Sequence, residues 1–433
     1  MARHPTLHRS FDRSEHVPAR IDLDQDRFIF MPPVETDPII DEGVVAGTWS
    51  FFASKMIVSR MQDHVIETSD GDLHLLLNLG PNKGLRLITS TDNGQTWSLS
   101  ADLPDANLVS TADIRMVEGT DRAVLVYTTG TDEIVYIDLM YDTDANAWTA
   151  LNLQTVASDV DEATALNPTI AIAASGRLYV GYADGGDFGV TVTVHWSDDL
   201  GQSWSSARYF DSDALVGSAR VLTTPDTFGT LYATTEDIVW ITYNVRAGDW
   251  DTETVLSPGS LGYYASHFST TTMGGDIFLV NADPDLTLSF VIYDGDAGGW
   301  GAAMTIPEVT APVSSAQISA ETDGDLYITY DNVDTLELVV LESADGGQTW
   351  DELATLDAPK ILIDEPMRFE APEQFDDELI IFQQIGFPGI DAVSGLYYYV
   401  IDTDAETVTH EGFLEGAETF FDITSHLQNI DFA

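Results

Sequence analysis

The feature that most constrains this chain is an eight-residue pattern, S-x-D-x-G-x-[TS]-W, which occurs three times. It reads STDNGQTW at 90–97, SDDLGQSW at 197–204 and SADGGQTW at 343–350. Four weaker copies end at Trp148, Trp250, Trp300 and Val408, so that the seven copies are spaced 46 to 58 residues apart. A period near 50 residues is typical of a propeller or a solenoid.

Each repeat carries the signals of four strands. Before the full copies, segments 67–79, 171–183 and 319–331 contain a short run, a turn with glycine and an alternating apolar run, which predicts strand, turn and strand. A third strand runs into each copy, and a fourth leaves from its tryptophan. Four antiparallel strands make one propeller blade. We therefore predict an all-β fold, a seven-bladed β-propeller of four-stranded antiparallel blades, over residues 46–413.

The two ends of the chain differ from this ring. Residues 1–45 are predicted to be a non-blade arm or anchor, and residues 414–433 a tail in which ETFFDIT (418–424) is a candidate ring-closing strand. Residues 1–20 contain four arginines and two acidic residues, a charge of +2, whereas the remaining residues carry 13 − 70 = −57. An arm of opposite charge is suited to docking on another acidic protein.

The repeated pattern has a structural explanation. Its aspartate can accept hydrogen bonds from turn amides, its glycine can adopt a backbone angle that other residues avoid, and its tryptophan is an apolar wedge. A ring needs the same corner in every blade. We assign this structural role to nine residues: Asp92, Gly94, Trp97, Asp199, Gly201, Trp204, Asp345, Gly347 and Trp350.

These segments resemble the Asp-box, or BNR, repeat of the sialidase-like β-propellers. The resemblance implies that the boxes lie on the blade rim, away from the ligand-binding end of the central channel. Sialidases, other glycosidases, sorting receptors, assembly factors and viral attachment proteins share this repeat, so the fold alone does not imply an activity.

The resemblance to sialidases implies three arginines on a substrate carboxylate, a Tyr–Glu nucleophile pair and an Asp acid/base. Arginine suits this role because its planar guanidinium pairs bidentately with a carboxylate. The candidate ligand-binding residues, which stand early in predicted inner strands, are Arg115, Arg220, Arg368, Tyr264 and His267. The alternative is that each arginine simply pairs with one of the many acidic residues.

Several departures from the sialidase pattern argue against catalysis. Sialidases have six blades, whereas seven are predicted here. Their Arg-Ile-Pro signature is missing, since residues 20–22 read Arg-Ile-Asp, and no glutamate stands out as the partner of a tyrosine. We therefore assign no catalytic residue, and a glycoside hydrolase is the alternative interpretation.

Four acidic segments resemble the opening of a calcium loop: DLDQD (22–26), DTDAN (142–146), DGDAG (294–298) and DTDAE (402–406). None has the glutamate that an EF-hand loop needs at position twelve. Three of them coincide with weak copies of the repeat. We predict no metal or other cofactor, and weak calcium binding at these turns is the open alternative.

The charge of the chain favours a salt-rich setting. There are 72 acidic and 17 basic residues, a net charge of −55, and no cysteine. Such a surface repels itself, and salt relieves the repulsion because the screening length falls to about 3 Å at 1 M. A nucleic-acid partner is disfavoured by the same charge. Aspartate excess and lysine depletion therefore point to a halophile.

Two main function classes follow from these observations. The first is a non-enzymatic structural and binding propeller on the virion surface of a virus with a halophilic (haloarchaeal) host, serving host attachment or capsid or tail decoration. Its partners would be other virion proteins, through the arm, and a host surface glycan or protein, with homo-oligomerisation left open. The second class is a sialidase-like glycosidase that acts on surface glycans. A third, an intracellular assembly factor, also fits, because the N-terminus has no apolar secretory segment and no run is long enough for a membrane span.

Overall fold

The computed structural model describes residues 61–78, 85–103, 105–106, 110–130, 132–158, 160, 166–186, 189–225, 227–258, 268–356, 368–386 and 394–416. Every regular element in these ranges is a β-strand, and the strands form seven sheets arranged as blades. The prediction of an all-β, seven-bladed propeller is confirmed. The described ranges contain no helix long and apolar enough to cross a bilayer. The predicted arm, residues 1–45, and segment 418–424 lie outside the described residues.

The strands follow one another around the ring. Blade 1 contains β1 (Val65–Glu67), β2 (Leu73–Asn78), β3 (Leu85–Ser90) and β4 (Ser98–Asp102). Blade 2 contains β5 (Ala112–Val117), β6 (Arg122–Thr128), β7 (Glu133–Asp142) and β8 (Ala147–Ser158). Blade 3 contains β9 (Thr169–Ile172), β10 (Leu178–Gly186), β11 (Gly189–Ser197) and β12 (Arg208–Ser212).

Two blades have a divided outermost strand. Blade 4 contains β13 (Arg220–Thr223), β14 (Phe228–Ala233), β15 (Asp237–Asn244), β16 (Asp249–Trp250) and β17 (Thr254–Pro258). Blade 5 contains β18 (Phe268–Met273), β19 (Asp276–Ala282), β20 (Leu288–Asp294), β21 (Gly299–Trp300) and β22 (Met304–Thr305).

Blades 6 and 7 are joined by one short strand that pairs across their boundary. Blade 6 contains β23 (Ala316–Glu321), β24 (Leu326–Asn332), β25 (Glu337–Ser343) and β26 (Asp351–Leu356). Blade 7 contains β27 (Arg368–Glu370), β29 (Glu378–Gly386), β30 (Ser394–Asp402) and β31 (Thr407–Gly416). Between β27 and β29, strand β28 (Gln374–Phe375) leaves its own blade and pairs in parallel with β23.

The hydrophobic core lies between the blades rather than within them. Strands β2, β14 and β24, second in their blades, are buried on both faces because each blade is covered by a neighbour on either side. Each pair of adjacent blades encloses an apolar cluster, including blades 7 and 1, where Leu75 and Trp97 pack with Ile380, Phe382 and Tyr398. In the described residues, blades 7 and 1 exchange no strand. The ring therefore closes through side-chain packing.

The three full Asp boxes form the hairpins between the third and fourth strands of blades 1, 3 and 6. In each, the aspartate accepts a hydrogen bond from the backbone amide four residues later, at 2.7 Å for Asp92, 2.8 Å for Asp199 and 2.8 Å for Asp345. The glycine has φ near +80° in all three and donates its amide to the box serine at 2.8 Å. The hydrogen bonds from Thr349 lower the pKa of the Asp345 carboxyl. The box carboxylates thus serve the turn itself.

Each full box also packs against the preceding blade. A Cβ atom at Gly201 would overlap the ring of Tyr136 in blade 2, and one at Gly347 would overlap Phe290 in blade 5. At the ring closure, Tyr398 of blade 7 donates its hydroxyl to the carbonyl of Gly94 at 2.6 Å. The boxes therefore join neighbouring blades, and glycine is needed because an aromatic ring occupies the space of a side chain. Trp97 and Trp350 are buried, whereas Trp204 is partly exposed.

The weaker copies keep the turn. Asp142, Asp294 and Asp402 each accept a hydrogen bond from the backbone amide three residues later. These are the first residues of three of the calcium-like segments, and segment 22–26 lies outside the described residues. Within the described ranges, no group of three His, Cys, Asp or Glu side chains could hold a metal ion.

Candidate functional site: an ionic cluster across the propeller axis

Four residues that precede the first strand cross the centre of the ring. Met61 is fully buried in the apolar cluster between blades 4 and 5, beside Leu222 and Phe268. Gln62 donates its side-chain amide to the carbonyl of Pro168, at the start of blade 3, at 2.8 Å. The next two residues bond to blades 2 and 7, as described below. Because these four residues contact blades on all sides, segment 61–64 bridges the propeller axis.

The amide of Asp63 donates to Asp113 Oδ1 at 2.7 Å, and that of His64 donates to Glu370 Oε1 at 2.6 Å. The imidazole Nδ1 of His64 lies 2.9 Å from Glu370 Oε2. The other oxygen of Asp113 accepts the amide of Ile170 at 2.7 Å, so this carboxylate links segment 61–64 to blades 2 and 3. Carboxylates from the ring thus hold the backbone of the crossing segment.

Two arginines complete the cluster. Arg115 Nη1 lies 2.6 Å from Asp63 Oδ2, its Nη2 lies 3.2 Å from Asp113 Oδ1, and it also contacts Glu373. Arg220 lies 2.8 Å from Glu373 Oε2 and donates to the carbonyl of Met61 at 2.6 Å. We call the seven residues that form this network the axial cluster: Asp63, His64, Asp113, Arg115, Arg220, Glu370 and Glu373.

Burial sets the protonation of the axial cluster. It raises the pKa of Asp63 to about 8, with the carboxylates of Glu373, Glu370 and Asp113 acting in the same direction and Arg115 opposing them. Burial also raises the pKa of Asp113 and lowers that of Arg220. For His64, burial disfavours the cation, but Glu370, Asp113 and Asp63 together outweigh it and the pKa rises above 6.5. Four carboxyl groups thus face three basic groups in a buried network.

The structure brings two of the five candidate ligand-binding residues together. Arg115 and Arg220 both contact Glu373, with side chains only 13% and 3% exposed. Their guanidinium groups are occupied by the chain's own carboxylates, as the alternative interpretation of the sequence anticipated. Arg368 begins strand β27, but its side chain, and all of Tyr264 and His267, lie outside the described residues.

Sequence reasoning missed the other five residues of the axial cluster: Asp63, His64, Asp113, Glu370 and Glu373. Their partners are far away along the chain: His64 and Glu370 are separated by 306 residues. One local signal was available, because three consecutive polar residues, Gln62, Asp63 and His64, directly precede the first strand, Val65–Glu67.

The structure also corrects the statement that no glutamate partners a tyrosine. Tyr327 donates to Glu321 Oε2 at 2.6 Å, and Tyr232 contacts Glu253. Burial and the adjacent carboxylate raise the pKa of both phenols. A nucleophilic tyrosine needs the opposite shift, and neither pair contains a residue of the axial cluster. Glu321 also accepts the hydroxyl of Thr403 at 3.0 Å, so its pair helps to join blades 6 and 7.

The comparison of sequences identifies the family. Residues 44–371, most of the chain, match the BNR repeat-like domain. This protein belongs to the BNR repeat-like family. The match includes the three full copies of the repeat and the three weaker copies that end at Trp148, Trp250 and Trp300. No curated protein matches the chain.

Solved structures share the propeller of this BNR repeat-like protein at low sequence identity. A lectin from Burkholderia pseudomallei has a TM-score of 0.57 and 12% identity, covering 85% of this chain and 100% of the lectin. A polysaccharide lyase has a TM-score of 0.50 and 12% identity, covering 83% and 93%. A putative 6-phosphogluconolactonase from Bacteroides fragilis has a TM-score of 0.50 and 13% identity, covering 82% and 95%. A lectin and a lyase on one fold show that the propeller alone decides no activity.

Proposed function

We propose that this protein is a non-enzymatic propeller that binds glycans and is carried on the surface of a virion that infects a halophilic, haloarchaeal host. One observation carries the non-enzymatic part. The centre of the ring, where a sialidase-like enzyme would place free arginines, is bridged by segment 61–64, and the guanidinium groups of Arg115 and Arg220 are neutralised by internal carboxylates.

The glycan part of the proposal is supported by two solved structures with a similar fold. One is a lectin, which by name binds sugars, and the other is a polysaccharide lyase, which by name cleaves polysaccharides. These similarities concern the fold, so the ligand itself is our proposal. An enzyme would need a nucleophile or an acid/base that reaches solvent, and the tyrosines paired with glutamate have raised pKa values.

The virion and halophile parts are supported by the charge distribution. Residues 1–20 carry a charge of +2 and the remaining residues −57, a difference expected if the N-terminal part of the arm docks on another acidic protein. Arginine pairs of that kind persist in salt when they are partly buried. Other virion proteins are therefore the proposed partners of the arm, and the virion surface the proposed location.

A glycan-binding screen in molar salt, run together with hydrolysis assays on sialosides and related glycosides, tests the binding and non-enzymatic parts. We expect saturable binding to a subset of glycans without release of sugar. Hydrolysis that exceeds the blank and follows the protein concentration would establish the glycosidase alternative instead.

The particle location needs a separate test. Deletion of residues 1–20 should release the protein from purified particles while the isolated propeller remains folded by circular dichroism. Retention of the truncated protein on particles would contradict the anchoring role of the arm, and absence of the full chain from particles would favour the intracellular assembly factor.

A further inference from the structure

Arg208 differs from most cations of the ring. The structure describes the side chains of seven arginines, and five of them pair with a carboxylate: Arg86, Arg115, Arg122, Arg177 and Arg220. Arg246 stands in an exposed turn of blade 4. Arg208 opens the outer strand of blade 3, and no carboxylate in the described ranges lies within ion-pair distance of it. In a chain with 72 acidic residues, this is the exception to explain.

Aromatic residues hold the guanidinium of Arg208 in place. It lies over the ring of Trp196, 5.2 Å from the ring centroid. Its Nε donates to the hydroxyl of Tyr243 in blade 4 at 3.0 Å, and its Nη1 donates to the carbonyl of Ala207 at 3.3 Å. Its Nη2 has no partner among the described residues. Trp196 packs in turn against Phe228 and Tyr243, and Arg208 and Trp196 are both partly exposed, so the solvent reaches this pair.

The other full Asp boxes show that the fold requires neither residue. Arg208 pairs with Val194, three residues before the box serine. At the same register, Ala101 pairs with Leu87 in blade 1, and Ala354 pairs with Val340 in blade 6.

The residue just before the box serine differs in the same way. It is Trp196 in blade 3 but Thr89 in blade 1 and Glu342 in blade 6. The cation and its aromatic support therefore occur together in blade 3 alone among the three matched boxes.

We propose that Arg208 and Trp196 form a binding site for a saccharide that carries an anionic group, either a carboxylate or a sulfate ester. The free Nη2 of Arg208 would donate a charge-assisted hydrogen bond to that group, and the exposed part of the Trp196 ring would contact the C–H face of the sugar. Tyr243, whose hydroxyl accepts the hydrogen bond from Nε, fixes the guanidinium plane. This site specifies the ligand class of the glycan-binding function proposed above and rests on it.

Charge explains why this cation suits an anionic ligand and when the ligand binds. The two arginines of the axial cluster already pair with carboxylates of the chain itself, whereas Arg208 pairs with no carboxylate of the described residues. Its charge is therefore available to an anionic ligand. The net charge of −55 repels anions at a distance, but at about 1 M salt the screening length is about 3 Å and only the local contact remains. Binding is therefore expected in molar salt.

Isothermal titration calorimetry of the full chain in about 2 M NaCl tests the site, since screening is then nearly complete. The probes are methyl glucuronide, glucose 6-sulfate and neutral methyl glucoside. Wild type should bind one or both anionic sugars and prefer them to the neutral one. Arg208→Ala should weaken that binding by about tenfold or more, which is the loss expected for a charge-assisted hydrogen bond. Trp196→Thr, the residue of blade 1, should also weaken it.

Arg177→Ala is the matched control, because Arg177 is a partly exposed arginine of the same blade that is already paired with Asp198. It should bind like wild type. If Arg208→Ala has a lower melting temperature than wild type, Arg208→Lys is measured in its place. Lysine keeps the charge but lacks the planar donor edge, so this variant should bind the anionic sugars less tightly than wild type. The preference between the two anionic probes identifies carboxylate or sulfate as the group recognised.

The outcomes separate the two proposals. Wild-type affinity in both Arg208 variants, or a preference for the neutral sugar, would overturn this site and leave Arg208 as a link between blades 3 and 4. A positive glycan screen with no binding of either anionic probe would overturn the site but not the glycan-binding function. A wholly negative glycan screen would remove both.

Discussion

The axial cluster and the Asp-box rim solve the same problem, holding blades together, with opposite chemistry. At the rim, an identical turn recurs, and a glycine admits an aromatic ring of the preceding blade. At the axis, seven ionisable residues contributed by blades 2, 4 and 7 and by the crossing segment form one non-repeating network. Residues that recur in every full box have the same structural role in each blade. Functional differences should therefore be sought at positions where one blade differs from the others.

The largest expected effect concerns the acidic surface as a whole. Exposed carboxylates repel one another and are screened by salt, whereas the buried pairs of the axial cluster are screened much less. The melting temperature should rise by about 10 °C or more between 0.1 M and 2 M NaCl, which for a chain of this size reflects several kcal/mol. Differential scanning calorimetry at the two salt concentrations measures it, and equal midpoints would remove the halophile argument.

The axis and the rim can be compared through two ion pairs. Glu373→Ala leaves Arg115 and Arg220 without their shared carboxylate in a buried site, which should cost about 3–5 kcal/mol of unfolding free energy. Asp198→Ala removes the exposed partner of Arg177 and should cost less than about 1 kcal/mol. Urea unfolding in molar salt measures both, and equal costs would show that the axial cluster is no more important than a surface pair.

The packing of the Asp-box rim can be tested by replacing its tryptophans with alanine. Trp350 is 4% exposed and packs edge-on against Phe290 of blade 5, so Trp350→Ala should cost about 3–5 kcal/mol. Trp204 occupies the same box position but is partly exposed, so Trp204→Ala should cost less. Thermal or urea unfolding ranks the pair, and a larger loss at Trp204 would contradict the assigned packing.

A smaller effect should appear with pH. The folded-state pKa of Asp63 is about 8 against an ordinary value of 3.8, so the folded protein holds this proton more tightly than the unfolded chain. The stability from this group is complete below its unfolded pKa and is lost as the pH rises through about 8. His64, with a pKa raised above 6.5, acts in the same direction.

The melting temperature of wild type should therefore fall between pH 6 and pH 9, both chosen to bracket about 8. Asp63→Asn, which cannot ionise, should fall less over the same range. Parallel pH profiles for the two proteins would mean that Asp63 keeps an ordinary pKa in the fold.

The sequence made the rim predictable and the axis largely unpredictable. The spacing of the seven boxes was enough for seven blades, because a box shapes its own hairpin through local contacts, such as those four residues apart in the full boxes. The axial cluster depends on partners up to 310 residues apart, such as Glu373 and Asp63, which no local pattern encodes. The ring was predicted from residue 46, and the first described strand begins at Val65, after the segment that crosses the axis.

The candidate site follows the same division. Arg115 and Arg220 were selected for their positions in inner strands, but only the folded ring shows that Glu373 lies between them. Arg208 and Trp196 carried a signal that was readable in principle, since alanine and threonine or glutamate stand at the same register in the other full boxes. That signal becomes meaningful only when strand pairing fixes the register.

The central claim is that segment 61–64 closes the propeller axis, so that Arg115 and Arg220 serve the fold rather than a ligand. Hydrogen–deuterium exchange of the intact protein in molar salt tests this directly, through the amides of Asp63 and His64, which donate to buried carboxylates. These amides should exchange among the slowest in the protein, and their exchange rates should not change when a sugar ligand is added. Exchange as fast as that of exposed turns, or deprotection of this segment by a sugar, would show that the axis opens to ligands and would contradict the account.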